Sequence, residues 1–124
     1  MSVNTVAQFT FFSLLAVISY LAFSPAPVQL DFNNMDKLNH LAAFASLACV
    51  GRAAFNIHLG WLLASLTGYG ALIELIQSQI PNRFASGFDL LADILGIVLG
   101  LLCYRLLRPY LGKISWLSPL LKGN

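Results

Sequence analysis

No acidic or basic side chain precedes Asp31, and inside that uncharged stretch Val6–Ser24 is one continuous apolar run. A bilayer core takes about 20 helical residues to cross, so the run is long enough to span it. A soluble fold of 124 residues would have to bury such a run on every side, and the rest of the chain offers little polar surface to do so. Only 10% of the residues are charged, 58% are hydrophobic and the mean hydropathy is +0.76; a soluble domain carries about a quarter charged residues. The expectation is a small integral membrane protein, a single domain over residues 1–124. Pro25 and Pro27 end the first run. A cleaved signal peptide is the rival reading, but the positively charged start is missing and no clean A-x-A site follows.

Three further spans are expected: Asp36–Phe55, Leu59–Gln79 and Phe88–Leu107. "IPNRFASG" separates the last two as a turn, with Pro81, Asn82 and Gly87 as breakers. The tail from Arg108 mixes Tyr110, Lys113 and Trp116 with leucines, and reads as a short segment lying along the membrane surface. The predicted fold is therefore all-α: a four-transmembrane-helix bundle with an interfacial C-terminal segment. Cys49 and Cys103 fall inside apolar runs and read as small buried hydrophobes. There is no internal repeat, phosphate loop or low-complexity segment, and no basic face for nucleic acid.

Four spans put both termini on the side of the loop near Asn56. That side holds Arg52, Arg105, Arg108, Lys113 and Lys122, against Lys37 and Arg83 on the other. The excess predicts cytoplasmic termini. The acids divide more sharply. Asp31, Asp36, Glu74, Asp89 and Asp93 are all the acids of the chain, and every one falls at the outer end. Acids contribute little to insertion, so topology does not account for the partition.

Three helix ends meet on that outer face. "DKLNH" opens the second helix with Asp36, Lys37 and His40; "ELIQ" closes the third with Glu74 and Gln77; Asp89 and Asp93 share a face of the fourth. Below the two aspartates, Gly96 and Gly100 continue the same face at a spacing that lets another helix approach closely. Thr67, Gly70 and Ala71 run similarly beneath Glu74. Small-residue faces point into a bundle, so the polar residues above them should point inward too. At about 1.5 Å per residue, His40, Glu74 and Asp93 would lie roughly 6–8 Å inside their helix ends, the level of lipid headgroups. Several of these residues have plain readings when taken singly. Asp36 can be a helix-start charge, His40 a bundle histidine, Arg83 a loop cation. Glu74 cannot be dismissed that way, because it lies within a span and needs a partner.

"DKLNHLAAFASL" followed by "IELIQSQIPNRFASGFDLLADILGIVLG" resembles the VanZ-like family of small bacterial membrane proteins. The family's pattern falls on Asp36, Lys37, His40, Glu74, Gln77, Pro81, Arg83, Ser86, Asp89, Asp93 and Gly96, over about residues 36–100. Two positions depart from it: Asn82 stands where Gly is common, and Asp93 where the family usually has Asn. The resemblance implies action at the outer surface of a bacterial cell (inner) membrane. By analogy with enzymes of similar fold it also implies phosphate-bearing lipid headgroups as ligands.

On that basis His40, Glu74 and Asp89 are the candidate catalytic residues. Asp36, Lys37, Gln77, Arg83, Ser86 and Asp93 are the candidate binding residues. His40 would act as acid, base or nucleophile, oriented by Asp36 or Glu74, while Arg83 and Lys37 hold phosphate oxygens. Asp89 and Asp93 would balance those cations, or bind a divalent cation together with Glu74. The expected partners are membrane lipid and a second copy of the chain meeting it through Gly96 and Gly100. Two other functions fit the residues: a non-catalytic protein whose polar cluster binds a headgroup or partner or holds the helices together, and a small proton-coupled transporter using Glu74. All the acids lie at one end, which argues against a path across the membrane.

Overall fold

The computed structural model describes residues 3–24, 33–80 and 87–111, with side chains over 5–24, 37–80 and 87–110. Its elements are four helices: α1 (Val3–Phe23), α2 (Asn33–Ala54), α3 (Leu59–Gln77) and α4 (Gly87–Leu111). No strand occurs among the described residues. With 19 to 25 residues each, the helices run about 28–38 Å. α1, α3 and α4 are each long and apolar enough to cross a membrane. α2 is as long, but opens on Asn33, Asn34, Asp36 and Lys37 and carries Arg52 near its end. It is the inner helix, packing against all three others and most extensively against α4.

The bundle wears its large apolar groups outside. Trp61, Phe88, Phe9, Tyr20, Leu75 and Leu106 are all exposed, while Gly51, Gly70, Gly96 and Gly100 are buried. That inversion suits lipid, which gives apolar groups no reason to hide and lets small residues bring helices together. Hydroxyls on the outer surface turn back onto their own helix: Thr10, Ser13 and Ser46 each donate to the carbonyl four residues earlier. Inside, Phe11, Phe44, Leu47, Ala48, Leu62, Leu66, Ile73 and Ile97 form one core.

The tightest seam joins α2 and α4. A Cβ on Gly96 would lie 2.4 Å from the Leu41 carbonyl oxygen, and one on Gly100 would lie 2.2 Å from that of Ala45. Only glycine lets these backbones touch. The inward assignment of this face is thus correct, and the helix that approaches it is α2 of the same chain.

The helix boundaries shift from expectation at several ends, α1 starting at Val3 rather than Val6 and α3 stopping at Gln77 rather than Gln79. α2 starts at Asn33, three residues before Asp36, so His40 lies about 10 Å along it, three residues deeper than expected. α4 continues past Leu107 to Leu111, carrying Pro109 inside it. Pro109 has no N–H for the carbonyl four residues back, and the helix ends two residues later. The "IPNRFASG" turn beyond Ile80 and the tail after Leu111 lie outside the described residues. Cys49 is half-buried as a free thiol, but Cys103 is exposed rather than buried, since its side of α4 faces outward.

Candidate functional site

His40 of α2, Glu74 of α3, and Asp89 and Asp93 of α4 converge at one end of the bundle. His40 Nδ1 lies 2.7 Å from Asp93 Oδ1 and 3.9 Å from Glu74 Oε1, and His40 Nε2 lies 4.0 Å from Asp89 Oδ2. His40 is 8% exposed, Asp89 2% and Asp93 0%; the Glu74 side chain is 12% exposed. With Asp93 ionised, Nδ1–H donates to it and Nε2 faces Asp89.

The glycine seam sets this geometry. Asp93 lies three residues before Gly96, and His40 immediately before Leu41. Contact between Gly96 and the Leu41 carbonyl therefore brings the two side chains face to face about one turn higher. Aspartate is short, and only a close crossing lets it reach an imidazole on the next helix. A second glycine completes the floor: a Cβ on Gly70 would lie 2.7 Å from Asp93 Oδ2. Gly70 is one turn before Glu74 on α3, so the same face that admits Asp93 presents Glu74 above it. Asp89 sits in the first turn of α4, where the helix dipole favours a carboxylate.

The other expected site residues fare differently. Gln77 is buried, but its amide nitrogen donates to the Ala22 carbonyl at 3.0 Å, tying α3 to the last turn of α1. Lys37 is half-buried, and no ion pair joins it to an acid among the described residues. Asp36 lies within α2, without a described side chain, and Arg83 and Ser86 lie outside the described residues. Among the described carboxylates the one nearest His40 is Asp93, rather than Glu74, one of the two orienting partners, with Asp36, that the sequence offered. The signal for this was the position of Asp93 one turn above Gly96. Missed as a site residue was Gly70, noticed in sequence only as part of a small-residue face.

Imidazole and carboxylate donors from three helices are also a set that can hold a metal ion. One ligand atom each from His40, Glu74 and Asp89 lies within 4.8 Å of the others.

No curated protein and no solved structure matches the chain. The profile of the VanZ/LLP1 family matches residues 2–108, a longer stretch than the motif residues alone covered. With that match over nearly the whole chain, and with the polar pattern gathered at one end of a bundle of membrane-compatible helices, the protein belongs to the VanZ/LLP1 family.

Proposed function

We propose that this protein crosses the bacterial cell membrane four times, with both termini in the cytoplasm. Its His40 cluster binds and modifies the phosphate-bearing headgroup of a lipid or lipid carrier at the outer face. The observation that carries this reading is the burial of His40, Asp89 and Asp93, with Glu74, in one cluster drawn from three helices. Ionisable groups at membrane depth are costly, and where they persist they usually serve a ligand, an ion or a proton. Family membership supports the membrane setting. Lys37 and Arg83, at the chain positions flanking the cluster, supply charge for phosphate oxygens, Arg in bidentate fashion. Asp93 holds the imidazole in one tautomer, and the cluster supplies the groups that move a proton during attack on the headgroup.

Two experiments test the reading. In a chain with Cys49 and Cys103 replaced by alanine, single cysteines at Asn34 and Ser86 should react with an impermeant reagent from outside. Cysteines at Asn56 and Asn124 should react only after permeabilisation. External labelling at Asn124 would overturn the orientation. For the chemistry, lipid profiles of cells expressing wild type, His40→Gln and Arg83→Ala at matched levels should differ in one phosphate-bearing lipid class. Identical profiles, with headgroup binding retained by wild type, would reduce the protein to a binder.

A further inference from the structure

Resting on the headgroup reading above, the geometry points to a resident divalent cation. We infer that His40 Nε2, Glu74 and Asp89 hold one first-row metal ion, with Asp93 the outer carboxylate that orients the imidazole.

Electrostatics supplies the motive. A phosphate brought to this end of the bundle meets Glu74, Asp89 and Asp93, all of which repel it when ionised. Lys37, three residues before His40 in the chain, carries charge of the opposite sign. An ion among the carboxylates offsets the repulsion at the floor, where the phosphate oxygens would arrive.

The donors fit. His40 Nε2 and Asp89 Oδ2 are 4.0 Å apart. An ion bonded to each at about 2.1 Å fits between them with a wide ligand angle. Glu74, whose Oε1 lies 3.9 Å from Nδ1, contributes the third atom of a set lying within 4.8 Å, and side-chain rotations of about an ångström close the shell around Nε2. The three ligands come from three helices, which fixes their spacing through the Gly96, Gly100 and Gly70 contacts rather than through a flexible loop. The Asp93–His40 hydrogen bond has the form that metal-bound histidines use: the second ring nitrogen donates to a carboxylate, which sets the tautomer and strengthens the lone pair facing the ion. Asp93 is wholly buried behind the ring, as an outer-shell group should be.

The donor set also selects among ions. One imidazole with two carboxylates and no thiolate favours Mn2+ or Zn2+ over the all-oxygen preference of Mg2+ and Ca2+. Three protein ligands leave coordination positions open, and a water or a phosphate oxygen can take them. In this arrangement His40 is a ligand, and the proton to be moved belongs to a water on the ion.

The test uses the full chain in detergent, stripped with EDTA, and titrated with Mn2+ while free Mn2+ is read by electron paramagnetic resonance. Expected is about one Mn2+ per chain, displaced by Zn2+. His40→Gln, Glu74→Gln and Asp89→Asn should each weaken it at least tenfold, and Asp93→Asn by roughly ten- to a hundredfold. Ser46→Ala, on the outer surface, should bind as wild type does, and circular dichroism establishes that each variant is folded. No stoichiometric binding, or equal binding by His40→Gln, overturns the metal site. A parallel measurement on vesicles containing an anionic phospholipid separates the two readings. Phospholipid binding unaffected by EDTA sinks the ion and spares the headgroup reading. Mn2+ bound at His40 with no phospholipid binding spares the ion and sinks the headgroup.

Discussion

The two ends of the bundle solve the same fastening problem with different chemistry. At the end where α2 stops, Phe11, Phe12 and Phe55 meet edge to face, with ring centroids 5.2–5.9 Å apart. There Gln8 donates to the Ala54 carbonyl at 3.2 Å. The histidine of that end, His58, is exposed and does a local task, accepting from the Gly60 N–H at the start of α3. At the other end Gln77 donates to the Ala22 carbonyl, a tie of the same kind as that of Gln8. The histidine there is buried, and its hydrogen bond reaches 53 residues along the chain to Asp93. Each end thus has a neutral amide closing the last turn of a neighbouring helix. Fastening does not explain why only one end adds an imidazole and three carboxylates.

The strongest way to break the comparison is to part the helices. Gly100→Leu should be the most damaging of the substitutions, costing about 3 kcal/mol or more, because its Cβ would meet the Ala45 backbone at 2.2 Å. Backbone cannot rotate aside as a side chain can. Gly51→Ala tests the opposite end, where the new Cβ would lie 3.1 Å from the Phe11 ring and 3.3 Å from a Leu62 methyl. Those are side-chain atoms that can give, so the cost there should stay below about 1 kcal/mol. Unfolding in detergent measures both. Equal losses would mean that the α2–α4 seam is no tighter than the rest.

A smaller effect on stability, but a large one on function, is expected from Asp93→Asn. Asparagine keeps the size and one hydrogen bond to the His40 ring, so the fold should change by less than about 1 kcal/mol. Headgroup binding should fall about tenfold or more, since the carboxylate that sets the imidazole tautomer is gone. Many relatives are expected to carry Asn there, which makes the substitution a sharp one. Unchanged binding would show that the amide suffices, and that the extra acid of this chain serves only packing.

Much of this architecture can be read from sequence, because its causes are local. Apolar runs bounded by Pro25, Pro27, Pro81 and Gly87 announce the helices. The cost of burying Glu74 announces that something must meet it. The start of α2 is less legible, because the polar Asn33 and Asn34 that precede Asp36 are already helical. The His40–Asp93 pair was not legible for a different reason. Spacing tells which residues share a face of one helix, but not the height at which two helices cross. Here that height is set by Gly96 against Leu41, a contact between residues 55 apart in the chain. Gln77 shows the same limit. Three residues after Glu74 it is turned partly aside on α3, and whether it meets the cluster or α1 depends on where α1 packs.

The weakest expected effects test whether the two amide ties are equivalent. Gln8→Leu and Gln77→Leu each remove one hydrogen bond to a helix-terminal carbonyl while keeping most of the side-chain volume. Each should cost about 1 kcal/mol, the net value of such a bond plus the exposure of one unsatisfied carbonyl. Gln77 is the more buried donor, but the more buried acceptor belongs to the other tie: Ala54 is buried and Ala22 half-buried. The burial of donor and of acceptor thus oppose each other, and the two losses should lie within about 1 kcal/mol of one another. Matched unfolding curves for the two variants check it. A loss at Gln77 several times that at Gln8 would mean that its amide supports the ionisable cluster as well as α1. The neutral tie and the charged site at that end would then be one structure rather than two.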